Sequence, residues 1–154
     1  MKNAALLIVG GLLLAANPTM MSDAAAASCT VGASGISFGS FSPLTHTVVD
    51  STGSVTVNCT DVSFYSISLS SGNGSYAQRR MVSGGSSLFY NLYRDASCQQ
   101  VWGDGNAGAS TVTLANPASG QNYVHIVYGR IPLSVQRSVG VGLYGDVITV
   151  VVSY

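Results

Sequence analysis

Three cysteines follow residue 27, and their chemistry is the most direct prediction that the sequence allows. Thiols of exported proteins are oxidised to disulfides, and three cannot all pair within one chain. Cys29 and Cys59 each lie in a short run typical of a strand, so we expect a disulfide that ties two strand segments together. Closing a loop of about 30 residues would stabilise the fold by roughly 3 kcal/mol on the chain-entropy model. Cys98 lies in a polar stretch and is expected to be a free thiol in a loop, or to pair with another chain.

Metal binding and acid–base catalysis have few candidate residues. The two histidines, His46 and His125, show no paired ligand spacing and have no evident nucleophile or acid partner. The chain has no glutamate, and five aspartates follow residue 27. Asp146 begins the last apolar run, and the other four stand in turn-like contexts that Asx turns explain. These four are Asp50, Asp61, Asp95 and Asp104. The sequence therefore predicts no metal, no cofactor and no enzymatic activity.

Arg79, Arg80 and Trp102 are the remaining residues that could recognise a ligand. We expect the two arginines to be structural, with packed stems and with charged groups paired to aspartates. Trp102 stands in a glycine-rich turn, where its ring could stack on a sugar. The favoured interpretation is that Trp102 anchors the turn.

The composition excludes several classes of protein. Only 8% of the 154 residues are charged and the net charge is zero, whereas an average soluble domain has about 25% charged residues. Such a chain lacks the basic surface that nucleic-acid binding requires. With 47% apolar residues it is too hydrophobic for a disordered tail, and it lacks the charged residues of a long exposed helix.

The first 27 residues have the features of a secretory signal peptide. Lys2 is followed by an uninterrupted apolar or glycine stretch over residues 4–16, which is too short to cross a bilayer as a helix. Small residues at 24–27 favour cleavage after Ala27, and a short membrane anchor is the less favoured alternative. The mature domain would then be residues 28–154.

The mature sequence is β-rich. Alternating or aromatic-rich runs occupy residues 54–59, 65–70, 88–93, 111–114, 123–131 and 146–154, and glycine-rich turn signals separate them. Six or seven short strands with such punctuation predict an all-β sandwich.

The last run raises a question of pairing, because it extends to residue 154 with no hairpin partner after it. Apolar side chains lie on both of its faces, which predicts a strand covered on both sides. Its neighbour must come from earlier in the chain or from another molecule. An open edge of this kind is a template for strand addition.

Several blocks, in order along the mature chain, resemble spore coat protein U domains. The blocks are CTV at 29–31, GISFG at 35–39, VTVNC at 55–59, SYAQRRM at 75–81, LFYNLYRD at 88–95, VWGDG at 101–105, VYGRIP at 127–132 and GLYGD at 142–146. The matching motif residues, which we expect to be structural, are Phe38, Gly39, Arg80, Tyr90, Tyr93, Asp95, Trp102, Gly103, Tyr128, Gly129, Ile131, Pro132, Tyr144 and Asp146. This family is similar to the pilin module of the archaic (Csu-type) chaperone–usher pathway.

The resemblance implies an incomplete immunoglobulin-like β-sandwich that lacks its final strand. In that family a periplasmic chaperone first fills the resulting groove, and the N-terminal extension of another pilin subunit replaces it during assembly at the outer-membrane usher. The last run would border the acceptor groove in this chain. The expected groove residues are Val147, Ile148, Val150, Val151, Val152 and Tyr154.

One feature departs from the family pattern. Polymerising subunits carry a strand-like extension before the first cysteine, whereas cleavage after Ala27 would leave only Ser28 here. The sequence therefore predicts a non-enzymatic tip or minor subunit of a surface pilus, exported through the periplasm and serving adhesion and biofilm formation. The alternatives are a structural protein of a spore or cell-surface coat and a small sugar-binding module.

Overall fold

The computed structural model describes residues 26–44, 47–133 and 139–154, which form an all-β, immunoglobulin-like sandwich. The predicted signal peptide up to residue 25, and His46, lie outside these ranges. The eight strands are β1 (Ser28–Ser34), β2 (Val49–Thr60), β3 (Phe64–Leu69), β4 (Arg79–Ser83), β5 (Ser86–Tyr93), β6 (Val112–Ala115), β7 (Asn122–Ile131) and β8 (Val150–Ser153). No helix within the described ranges has the length and apolarity needed to span a membrane.

The strands form two antiparallel sheets. The larger has the order β1-β2-β7-β5-β4, and the smaller has the order β6-β3-β8. Strand β2 shows how the sequence produces this arrangement, because Val55, Val57 and Cys59 point into the core and are at most 2% exposed. Thr56 and Asn58, which lie between them in the sequence, are on the outer face, as expected for a strand with one buried side.

The predicted disulfide is confirmed. Cys29 and Cys59 are direct partners in the register of β1 and β2, with their Cα atoms 4.1 Å apart, and their sulfur atoms are bonded. The bond ties the edge strand β1 to its neighbour across a sequence separation of 30 residues.

Trp102 lies at the centre of the core. Its side chain is fully buried, and its indole Nε1 donates a hydrogen bond of 3.0 Å to the carbonyl oxygen of Ile67. This burial agrees with the interpretation of Trp102 as an anchor, and it leaves the ring no exposed surface on which a sugar could stack.

A short segment after β1, residues 35–38, crosses the inner face of the larger sheet, and we call it the strap. Ile36 and Phe38 of the strap pack where β2 and β7 carry Gly53 and Gly129. A Cβ atom on Gly53 would lie 2.8 Å from Ile36 Cγ1, and one on Gly129 would lie 2.8 Å from Phe38 Cζ. Only glycine leaves room for the strap at these two positions.

Two predictions about strands are wrong. Strand β4 was not expected, because its first residues are the two arginines. The last strand is shorter than the predicted run and has one covered face, since Val147 is 82% exposed and Val151 is 48% exposed. Valine is frequent in strands for its fit to a pleated surface as well as for its hydrophobicity, so its presence on a face does not require that the face be covered.

We expect the substitution Gly129→Ala to lower the free energy of unfolding by about 1–3 kcal/mol, because the new methyl group overpacks the strap. Urea denaturation of the oxidised protein, followed by the fluorescence of Trp102, would measure the change. Gly32→Ala is the matched control, since a Cβ atom there would meet no atom within 4 Å. Equal losses in the two variants would contradict the packing described for the strap.

A second prediction concerns the contact between the two sheets made by His125 of β7 and Tyr65 of β3, whose Nε2 and Oη atoms are 2.7 Å apart. Burial lowers the pKa of His125 below its ordinary value of 6.5, so the unfolded chain binds the proton more readily than the folded one. The stability of the fold should therefore decrease as the pH falls below 6.5. Denaturation at several pH values should show a weaker decrease for His125→Gln. His46 is present in both proteins, so its contribution cancels; identical pH profiles would contradict the prediction.

Candidate functional site: a groove beside the last strand

An open groove of about 300 Å³ lies between β8 and the strap. Its floor is formed by core side chains of both sheets, and its walls by the strap and by the segment that leads into β8. The core residues of the floor are Val55, Leu69, Leu92 and Val127. Ile148 and Val150 contribute from the side of the last strand. The lining is mainly apolar, and the core side chains of its floor keep at most 5% of their surface exposed.

The main chain of β8 forms one border of this groove and has an open edge. On one side β8 pairs with β3, with Val150 opposite Leu69 and Val152 opposite Ile67. On the other side no strand among the described residues pairs with it. The backbone N–H and C=O groups along that side are therefore available to a further strand.

The groove widens at one end into a second space of about 650 Å³. Ile36, Phe38, Met81 and Tyr144 line both spaces, so the two are continuous. Leu143 contributes to the wider part and is 96% exposed. The apolar surface thus extends well beyond the length of β8.

A polar cluster fixes the start of the segment that leads into β8. The Asp146 carboxylate accepts hydrogen bonds from the Tyr90 hydroxyl at 2.7 Å, and from the backbone N–H and side-chain amide of Asn73 at 3.1 and 2.9 Å. Burial, and then the hydrogen bond to Asp146, raises the pKa of Tyr90 far above its ordinary value. Tyr90 therefore stays neutral and donates a hydrogen bond to the carboxylate.

Arg79 is fully buried beside this cluster, and its importance was missed from the sequence. Its guanidinium donates to the carbonyl oxygen of Ser70 at 3.0 and 2.8 Å, to that of Trp102 at 2.8 Å and to Asn91 Oδ1 at 2.7 Å. Desolvation lowers its pKa. The sequence contained a signal for this burial. Adjacent side chains in a strand point to opposite faces, so one of two adjacent arginines must face inward.

The expected pairing of both arginines with aspartates is wrong. Arg79 bonds to carbonyl and amide oxygens, and the exposed Arg80 donates to the carbonyl oxygen of Asn73 at 2.6 Å. The Asn73 carbonyl lies in a turn and those of Ser70 and Trp102 lie outside the eight strands, so these oxygens are free to accept from a guanidinium.

Of the six expected groove residues, three pack against the groove or the core and three are exposed. The side chains of Ile148 and Val150 line the groove, and Val152 packs against the core. Val147, Val151 and Tyr154 are exposed and lie outside the groove lining. Val151 lies within β8, where alternation points every second side chain away from the groove, whereas Val147 and Tyr154 lie outside the strand.

The motif residues fall into three groups. Phe38, Tyr90, Tyr144 and Asp146 line the groove. Trp102, Gly103, Gly129 and Ile131 lie in the core, and Gly39 adopts a positive φ of 67° just after the strap. Tyr93, Tyr128, Asp95, Arg80 and Pro132 lie outside both the groove lining and the buried core.

Cys98 is the free cysteine of the described residues, and it lies in a loop as expected. Burial raises the pKa of its thiol.

The substitution Asp146→Asn should lower the free energy of unfolding by about 1–2 kcal/mol, because Tyr90 loses a charged acceptor. Asp61→Asn, at an exposed position, is the matched control and should change stability by less than about 0.5 kcal/mol. Thermal denaturation of both variants would measure the difference. Equal stability of the two variants would contradict a stabilising role for the cluster around Asp146.

Comparison with known proteins identifies a family and a similar fold. The family model of the Spore Coat Protein U domain matches residues 15–151. A similar solved structure is described as the CsuC–CsuE chaperone–tip adhesion subunit pre-assembly complex from archaic chaperone–usher Csu pili of Acinetobacter baumannii. The TM-score is 0.59 at 19% sequence identity, and the match covers 84% of this chain and 40% of that chain. Its fold is therefore shared, and this chain spans less than half of its length.

No similar sequence was found among curated proteins. The family match extends over most of the chain, including every strand except the last two residues of β8. This protein belongs to the Spore Coat Protein U domain family.

Proposed function

We propose that this protein is a subunit of a chaperone–usher surface pilus that is assembled by donor-strand complementation. The observation that carries the proposal is the open edge of β8 directly beside an apolar groove. A strand from another molecule can pair with that edge through main-chain hydrogen bonds and place alternate side chains into the groove.

Burial of apolar surface supplies the energy for this step. Each large apolar side chain that a donor strand buries contributes about 1.5–3 kcal/mol. The groove offers Ile148, Val150 and the core side chains of its floor as partners. The one carboxylate in the lining, Asp146, is already bonded to Tyr90 and Asn73, so it does not oppose an apolar occupant.

The partners in this proposal are a periplasmic chaperone, other pilin subunits and an outer-membrane usher. The similar fold in a chaperone–subunit pre-assembly complex supports the chaperone as the first occupant of the groove. The disulfide between Cys29 and Cys59 is consistent with an oxidising compartment. Together with the predicted signal peptide, it supports export through the periplasm to the cell surface.

We expect the oxidised protein to form a stoichiometric complex when it is co-expressed with the cognate chaperone. Ile148→Asp should abolish the complex, because it places a charge in the apolar groove. Val147→Asp is the control, since the side chain of Val147, the residue before Ile148, is 82% exposed and lies outside the groove. Affinity purification of the tagged chaperone measures both.

Two results would contradict the proposal. One is the absence of any stoichiometric complex with the native chain. The other is equal binding by the two aspartate variants. A coat protein would instead reach the surface in cells that lack the usher, so fractionation of cells with and without the usher separates the two functions.

The proposed position is the tip or a minor site in the fibre, with a role in adhesion and biofilm formation. Expected cleavage after Ala27 supports it, because Ser28 would be the single residue before Cys29. A subunit of that form accepts a strand but donates none.

Intact-mass spectrometry of the exported protein tests this position. We expect an N-terminus at Ser28 and the loss of two hydrogens for the Cys29–Cys59 disulfide. An N-terminus that retains a dozen or more residues before Cys29 would provide a donor strand, and would contradict the tip or minor position while leaving the acceptor role intact.

A further inference from the structure

The outer face of the larger sheet carries a pocket of about 350 Å³, on the side away from the groove. Strands β2 and β7 form its floor, and the loop after β5 forms its wall. Its lining residues are Asp50, Ser51, Thr52, Ala96, Cys98, Tyr128 and Gly129. The donor-strand function uses none of these side chains.

Two rows of residues lie opposite one another on the adjacent strands at the floor, and Asp50, Thr52 and Tyr128 of these rows line the pocket itself. In one row Asp50 of β2 faces Arg130 of β7. Arg130 Nε and Nη2 donate to the two carboxylate oxygens of Asp50, each at 2.7 Å, in a two-pronged ion pair. In the other row Tyr128 lies between Thr52 of β2 and Tyr93 of β5.

Asp50 was expected in a turn, and that expectation is wrong. It lies within β2, and its partner Arg130 is 80 residues away in the sequence. The hydrogen bond from Arg130 lowers the pKa of Asp50, so the carboxylate is charged at neutral pH. This is the one ion pair between side chains in the described part of a chain with very few charges.

The wall of the pocket is held in place by its own hydrogen bonds. Asp95 accepts from the backbone N–H groups of Gln99 at 3.0 Å and Gln100 at 2.7 Å. The Arg94 N–H donates to the Gln100 carbonyl oxygen at 3.0 Å, and Cys98 adopts a positive φ of 56° within this loop. The loop is therefore preorganised over the floor, which reduces the entropy cost of binding.

We propose that this pocket binds a neutral saccharide ring. A tyrosine ring offers an apolar face to the C–H side of a sugar, and the Asp50 carboxylate, which lines the pocket beside its partner Arg130, offers acceptors to adjacent hydroxyl groups. The hydroxyl of Thr52 adds a further polar contact at the rim. The ligand is neutral because Asp50 cancels the charge of Arg130, and the volume lies at the small end of ligand pockets, as suits one sugar unit.

This site differs from the sugar-binding alternative that the sequence first offered. That alternative depended mainly on Trp102, whose ring is fully buried. Tyr128 is half-buried instead and lines the pocket, where a ligand can reach it. The site is also independent of the groove, so an assembled subunit with a filled groove retains it.

Nuclear magnetic resonance titration of the isotopically labelled protein, in its chaperone complex, tests the proposal. The probes are the methyl glycosides of mannose, galactose, glucose and N-acetylglucosamine. We expect at least one to produce saturable shifts at the amides of Thr52, Cys98 and Gly129 below about 50 mM, a range that detects millimolar affinity. The absence of a saturable shift with all four probes, or shifts confined to other parts of the chain, would overturn the proposal.

Two pairs of variants locate the binding energy. Thr52→Val should weaken binding about three- to tenfold, whereas Thr56→Val, on the same face of the same strand but outside the pocket, should not change it. Tyr128→Leu should weaken binding about tenfold, and Tyr128→Phe less, because the ring rather than the hydroxyl provides the stacking surface. Equal affinity in Thr52→Val and Thr56→Val would overturn the site even if the Tyr128 variants failed to fold.

Discussion

The smaller sheet has three strands and the larger has five, so the smaller sheet cannot cover the whole inner face of its partner. This mismatch leaves part of the inner face of the larger sheet without an opposing strand, beside β8. The strap covers part of that face with Ile36 and Phe38. The remainder is the groove, whose lining includes core residues such as Val127 and Leu92. A strand from another molecule would complete the sheet and the core in one step.

The groove needs walls that hold their shape while it is empty, and buried polar bonds provide them. Arg79 binds the carbonyl oxygens of Ser70 and Trp102, and Asp146 binds Tyr90 and Asn73. These bonds connect the turn after β3, the core and the segment before β8. Because a buried polar group is costly when its partner is missing, the cluster favours a single arrangement of the groove wall. The disulfide acts at the opposite edge of the larger sheet, where it holds β1 against β2.

Much of the fold could be predicted from local patterns, and the failures share a cause. Alternation of residues 54–59 and the position of Cys29 were sufficient to predict the disulfide, since both depend on the period of a single strand. The wall residues Tyr90 and Asp146 were identified through the family motif, but their mutual hydrogen bond was not. Strand β4 was missed because its buried residue is Arg79, and a buried arginine looks polar in any pattern of hydrophobicity. Asp50 was assigned to a turn because its partner is distant in the sequence.

The sequence by itself determined the class of the fold, the pairing of Cys29 with Cys59 and the family, because these are expressed in spacings and short motifs. Only the tertiary structure decided which face of the last strand is covered, which of two arginines is buried and where the groove lies. Each of these depends on how a residue meets atoms far away in the chain. Val147 and Ile148 are both apolar neighbours in the sequence, yet one is exposed and the other lines the groove. Ile148 packs against the core in the segment that leads into β8, and this contact with residues distant in the chain separates it from Val147.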